Sequence, residues 1–70
     1  MKIKFNTIKD IYDFVELAGK DDGAATLSQD RYIVSARSLL GIFSLNLLAP
    51  VDLGLESENY EPFKRFASGN

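Results

Sequence analysis

Apolar and polar residues follow one another in changing rhythms along this chain, and each rhythm predicts an element. Met1 to Asn6 alternate, with Ile3 and Phe5 set between Lys2, Lys4 and Asn6; a period of two belongs to a strand with one buried face. From Thr7 the period lengthens. Ile8, Ile11, Tyr12, Val15 and Ala18 recur at helical spacing, flanked by Phe14 and Leu17, with Lys9, Asp10, Asp13, Glu16 and Lys20 on the other side. Thr7 followed three residues later by Asp10 is a capping-box-like start, and Gly19 or Gly23 supplies the end. Next come a short strand over Ala24 to Ser28, a tight turn at Gln29 and Asp30, and a strand over Arg31 to Ser35 carrying Tyr32, Ile33 and Val34.

The stretch from Ser38 to Leu48, SLLGIFSLNLL, has no charged residue. After it Val51, Leu53 and Leu55 alternate with Asp52, Gly54 and Glu56, the clearest strand pattern in the chain. Asn59 is placed to cap a last short helix that tolerates Pro62 in its first turn, with Tyr60, Phe63 and Phe66 turned toward the body. The tail Ala67 to Asn70 is expected to fray. The order β-α-β-β-α-β-α predicts an α+β fold, a four-stranded antiparallel or mixed sheet with its helices on one face, as a single domain over residues 1–70. There is no internal repeat.

Projected on a helix from Leu39, the apolar run divides in two. Gly41, Ile42, Leu45 and Leu48 share one side; Leu39, Leu40, Phe43, Ser44 and Leu47 share the other. Only one side can face a sheet. The Gly41 side is the better core candidate, because glycine permits close approach, which leaves Leu39, Leu40, Phe43 and Leu47 partly exposed as an apolar patch that, together with Ser44, is expected to meet a protein partner. Two plainer readings stand beside it: the last helix covers the patch through Phe63 and Phe66, or the helix is only two turns long and Leu47 and Leu48 lead into the next strand. Ser38 is the natural N-cap. A cap serine is also a place where a phosphate is electrostatically welcome, so Ser38 is a candidate phospho-switch beside the patch.

Composition narrows the chemistry. The 70 residues contain no Cys and no His, which removes thiolate and imidazole ligands, disulfides and His-dependent triads. The absence of Cys suits a reducing cytoplasm, the expected location. A net charge of −2 with eight scattered Lys and Arg argues against nucleic acid as a partner. The apolar run is broken by Gly41, Ser44, Asn46 and Pro50, too short and polar to cross a membrane. Asp13 and Glu16 share a helix face, and Asp21, Asp22 and Gly23 resemble the start of a calcium loop. Both lack the further ligands a metal needs and read as a solvated face and a helix-exit turn. No metal, no cofactor and no catalytic residue is expected.

The segment ARSLLGIFSL resembles the second-helix signature of HPr, the phosphocarrier protein of the bacterial sugar phosphotransferase system: a basic residue, Ser, two aliphatics, Gly, an aliphatic, a large apolar residue, Ser and Leu. The resemblance runs without a gap from about Leu17 to Ser57, and it implies an open-faced β-sandwich with a four-stranded antiparallel sheet and three helices, the third shortened here. It puts Thr7 where the family's phosphorylated histidine stands, Lys9 at its arginine and Asp10 at its proline, so the family's phosphoryl relay is not implied. It places Ser38 at the family's regulatory serine, and Leu39, Leu40 and Phe43 at the residues that meet partners. The expected function is a non-catalytic, HPr-like regulatory module whose partner is a phosphotransferase component, a serine kinase or a transcriptional regulator. The alternatives are a structural, self-associating domain that uses the same patch as an oligomer contact, and a diverged phosphocarrier.

Overall fold

A computed structural model describes residues 1–68. Its four strands are β1 (Lys2–Ile3), β2 (Ala25–Gln29), β3 (Tyr32–Ser35) and β4 (Val51–Leu55); its α-helices are α1 (Ile8–Gly19) and α2 (Leu39–Phe43), and a 3-10 helix spans Glu61–Phe66. The strands form one antiparallel sheet in the order β1-β4-β2-β3. The fold is α+β, as the periodicity predicts.

Alternation decides which face of the sheet is wet. Val51, Leu53 and Leu55 of β4, Leu27 and Ala25 of β2 and Ile3 of β1 are buried, and the helical segments pack on that side with Ile11, Phe14, Ala18, Ile42, Phe63 and Phe66. Thr26, Ser28, Asp52 and Gly54 occupy the opposite parity, with Lys2 bonded to Asp52 across β1 and β4 at 2.9 Å.

β1 is shorter than its alternating sequence. Past Ile3 the backbone turns to the other end of the chain: Lys4 N–H donates to Phe66 C=O at 2.9 Å and Ser68 N–H to Lys2 C=O at 2.9 Å, with Ile3 opposite Ala67. Ala67 and Ser68, expected to fray, therefore close the outer edge of the sheet. Gly69 and Asn70 of that tail lie outside the described residues.

The β2–β3 hairpin turns one residue later than the sequence suggested. Gln29 stays in the ladder opposite Tyr32, because its side-chain amide exchanges two hydrogen bonds with the Asn46 backbone, Nε2 to O at 2.7 Å and Asn46 N to Oε1 at 2.8 Å. The turn then falls on Asp30 and Arg31. Asp30 takes a φ of 54°, a left-handed conformation that aspartate tolerates better than most residues.

α1 begins as the sequence predicts. Thr7 is extended, its Oγ1 accepts from Asp10 N–H at 3.1 Å, and the Asp10 carboxylate accepts from Asn6 N–H at 3.0 Å. Its buried face is rotated from the expected stripe. Ile11, Phe14 and Ala18 point inward, whereas Ile8 and Tyr12 are mostly exposed. The cause is non-local: Phe14 lies 5.2 Å from Phe5, 5.4 Å from Phe63 and 5.6 Å from Phe66, ring centre to ring centre. A four-phenylalanine cluster gains more from Phe14 facing inward than from Tyr12.

The last helix is a 3-10 helix begun at Tyr60, not capped by Asn59. Tyr60 provides no side-chain cap; its hydroxyl instead accepts from Leu55 N–H at 3.1 Å. Phe63 and Phe66 are buried as expected.

Candidate docking site

The site is built on α2 and the loop behind it. Ser38 is extended and its Oγ accepts from Gly41 N–H at 3.1 Å, so it caps the helix. Gly41 is needed for packing: a Cβ there would stand 3.1 Å from Ser38 Oγ and 3.2 Å from Val34 Cβ. The helix makes its close approach to β3 on this side, with Ile42 fully buried beside it.

α2 ends at Phe43, which is the shorter of the sequence alternatives. The Ser44 hydroxyl donates back to Gly41 C=O, Leu45 N–H bonds Ile42 C=O at 3.0 Å, and Asn46 turns the chain by accepting Leu48 N–H on Oδ1 at 3.2 Å. Helical projection therefore fails beyond Phe43. Leu45 still points inward and is buried, but Leu48, placed on the core side by projection, is 88% exposed.

The outward residues also separate. Leu40 is 84% exposed and Phe43 42% exposed. Ser44 is exposed as well, with its hydroxyl tied to the helix end. Leu39 and Leu47 are partly buried against the core, the partial exposure expected of them: Leu39 leans on the body, and Leu47 forms the wall of a groove. That groove, about 220 Å³, is lined by Phe5, Thr7, Ile8, Phe43, Leu47 and Leu48, with Asn6 and Ile11.

The structure thus brings Thr7 to the same groove as Phe43 and Leu47. Lys9 sits two residues further on, exposed and paired with Asp13 at 2.8 Å. Ile8 and Leu48 are exposed members of the groove that sequence reasoning missed, and Tyr12 is exposed one turn along α1 from Ile8. Ile8 and Tyr12 sat in the expected core stripe, and only the position of Phe63 and Phe66 reveals that the stripe is turned. For Leu48 the signal was Asn46, whose side chain favours a turn over a helix.

The groove suits binding by contact rather than chemistry. Six of its eight lining residues are apolar, and its volume falls below the roughly 300 Å³ at which small-molecule sites begin. The Thr7 hydroxyl is engaged as a helix cap. Asp10 has its carboxyl held below the ordinary aspartate value of 3.8, chiefly by the hydrogen bond from Asn6 N–H, with help from Thr7 N–H and Arg65 against the cost of desolvation. A second, polar hollow of about 180 Å³ lies among Lys2, Ser28, Gln29, Asp30, Asn46 and Asp52, where Lys2 and Asp52 are already paired and Gln29 is bound to Asn46. Among the described residues no three acidic side chains converge on a metal-sized space, and no helix is long and apolar enough to cross a membrane.

Arg37, part of the basic-serine signature, faces away from the groove. Its Nε donates to Ala18 C=O at 2.8 Å, and one terminal nitrogen donates to Asp21 C=O at 2.7 Å and Gly23 C=O at 2.6 Å. One guanidinium thereby ties the exit of α1 to the residue before the α2 cap. No family model, curated protein or solved structure matches this chain.

Proposed function

We propose that this protein is a non-catalytic, HPr-like regulatory module that docks on a protein partner through the outer face of α2. The observation that carries the reading is the exposure of Leu40 at 84%, next to the half-exposed Phe43 and the groove that Phe43 shares with Thr7. Leaving such side chains in water forgoes about 1.5–3 kcal/mol each, and contiguous exposed apolar residues of this kind mark interaction surfaces. The β-α-β-β-α-β element order and the glycine-mediated approach of α2 to β3 support the HPr-like part of the reading. The partner is a phosphotransferase component, a serine kinase or a transcriptional regulator. Thr7 stands at the histidine position as a helix cap, so the module binds and does not relay phosphate.

Ser38 is the proposed switch. Its Oγ accepts from a backbone N–H at the start of α2, and phosphorylation would set about two negative charges beside Leu39 and Leu40. Two measurements test the proposal. Titration of the purified regulator and kinase partners of the phosphotransferase system against wild type and Leu40→Asp should show saturable binding that falls at least tenfold in the variant; equal binding by both removes the docking reading. Incubation with the system's serine kinase and ATP should add one phosphate, on Ser38. No added mass, or a phosphate on another residue, removes the switch.

A further inference from the structure

The sheet has two edges, and the described residues close only one of them. At the β1 edge Lys4 N–H donates to Phe66 C=O and Ser68 N–H to Lys2 C=O, both at 2.9 Å. At the other edge lies β3, with no strand beyond it. The register shows which of its backbone groups are left over. Ala36 N–H donates to Ala25 C=O at 3.0 Å. Counting back by twos, Val34 and Tyr32 stand opposite Leu27 and Gln29, so these positions direct their bonds to β2. Ile33 and Ser35, between them, turn N–H and C=O away from the sheet. The Ser35 C=O accepts Ser38 N–H at 3.1 Å. The Ile33 N–H, the Ile33 C=O and the Ser35 N–H have no partner among the described residues.

The side chains leave this edge open. Tyr32 is 64% and Ile33 71% exposed, and Ile33 lies across from Ser28 on the polar face of the sheet. Sheet edges are commonly blunted by lysine, proline, a bulge or a covering element. The strand Tyr-Ile-Val-Ser has neither lysine nor proline, and its pairing with β2 runs without a bulge.

Such an edge selects its occupant by backbone geometry. The N–H and C=O of Ile33, pointing the same way, are one half of a closely spaced antiparallel pair, and an extended backbone supplies the other half. Charge then separates a foreign strand from a second copy. Arg31, at the start of the edge, is exposed and belongs to no ion pair among the described residues, and neither does Asp30 beside it. A second copy laid antiparallel on β3 sets outward residues against outward residues. Arg31 would then meet Ser35, Ile33 or Arg37 of the copy, according to register, and no acid.

We infer that the β3 edge takes an extended peptide segment of a partner, paired antiparallel, with an aliphatic residue opposite Ile33 and an acidic residue two positions further on, opposite Arg31. The aliphatic side chain covers Ile33 as a cross-strand pair, and the carboxylate meets a guanidinium whose fork fits both its oxygens. This edge uses none of the groove residues, so it stands or falls apart from the docking reading of α2.

The probe is a blocked peptide, Thr-Thr-Val-Thr-Glu-Thr, titrated to about 5 mM into the full chain and followed by proton–nitrogen spectra. The amides of Ile33 and Ser35 should move saturably while those of Leu40 and Phe43 stay. The same peptide N-methylated at its valine cannot donate to the Ile33 C=O and should bind at least about threefold more weakly. N-methylation of the threonine after that valine, whose N–H faces away, should leave binding unchanged. Lysine in place of the glutamate should weaken binding roughly twofold to fivefold, and Arg31→Glu should reverse that order. Ile33 and Ser35 amides that stay still, movement confined to α2, or equal binding by the valine-methylated peptide overturns the inference. Equal affinity for the glutamate and lysine peptides overturns its acidic part. Shifts of the Ile33 and Ser35 amides on concentrating the chain alone would give the edge to a second copy and overturn it as well.

Discussion

Two groups of large apolar side chains behave in opposite ways. Phe5, Phe14, Phe63 and Phe66 are scattered over sixty residues and never adjacent, yet all four are buried, with ring centres 5.2 to 6.0 Å apart. The run from Leu39 to Leu48 holds seven large apolar residues almost without interruption, yet only Ile42 and Leu45 of them are buried, while Leu40, Phe43 and Leu48 are exposed. Burial follows from how many elements can reach a side chain. The phenylalanines are supplied by the segment after β1, by α1 and by the 3-10 helix, three layers that close on one another. The leucine run lies on a five-residue helix and a turn over which, among the described residues, no other element closes. A surplus of apolar residues in one place is thus evidence of a surface, whereas sparse aromatics in different elements build the core.

The strongest attack on this comparison is to remove the centre of the aromatic cluster. Phe14→Ala deletes a fully buried ring with three aromatic neighbours and should destabilise the fold by about 3–5 kcal/mol, enough to unfold much of a marginal domain of this size. Urea denaturation followed by circular dichroism measures it. A loss below about 1 kcal/mol would mean that the cluster is not the core.

Arg37→Ala is the next largest. It leaves the carbonyls of Ala18, Asp21 and Gly23 without their shared donor, and hydrogen bonds from a charged group contribute about 1.5–3 kcal/mol. Because water reaches these carbonyls, the loss should lie near the bottom of that range. The same denaturation curves read it, and Arg37→Lys, a point charge that cannot span three carbonyls, should recover less than half. Full recovery by lysine would reduce the clamp to simple charge.

Leu40→Asp and Leu48→Asp probe the other side of the comparison. Both positions are almost fully exposed, so stability should change by no more than about 0.5 kcal/mol in either direction while partner binding is lost. A destabilisation of 2 kcal/mol or more would show that the patch is covered by the chain itself and that the contrast with the phenylalanines is false.

What could be read from the sequence follows the same division. The β4 alternation, the Thr7 and Ser38 caps, the close approach at Gly41 and the burial of Ile42 are local matters, fixed by neighbours a few residues away, and each was legible. The inward face of α1 was misjudged by one side-chain position because it is set by Phe63 and Phe66, nearly fifty residues distant. The hairpin shifted by one residue for a similar reason, since Gln29 is held by Asn46. In the patch, Leu40 and Phe43 were legible as outward because α2 is helical there. Leu48 was not, because its exposure depends on a helix ending at Ser44, where side-chain hydrogen bonds compete with helical ones.

The smallest effect expected comes from acid, and it separates the two groups by location. Asp10 and Asp13 hold Arg65, whose guanidinium also lies 4.1 Å from the centre of the Phe66 ring, so these carboxylates fasten the 3-10 helix over the aromatic cluster. The Asp10 carboxyl titrates below 3.8 in the folded chain, mainly because Asn6 N–H donates to it, and near the ordinary value when unfolded. A depressed folded value means that the contribution is fully present above the ordinary aspartate range and is lost as pH falls through the lower, folded one. Acidification from pH 5 to 2 should therefore loosen the N-terminus of α1 and the contact with Arg65 while leaving the uncharged leucine face unmoved. Proton–nitrogen spectra across that range should show the amides of Asn6, Asp10 and Arg65 shifting together below pH 4, with those of Leu40 and Leu47 flat. Asp10→Asn should flatten the shift at Asn6 as well. If the leucine amides move in step with Asn6, the two regions are coupled, and the apolar patch is part of the structure that the phenylalanines hold together.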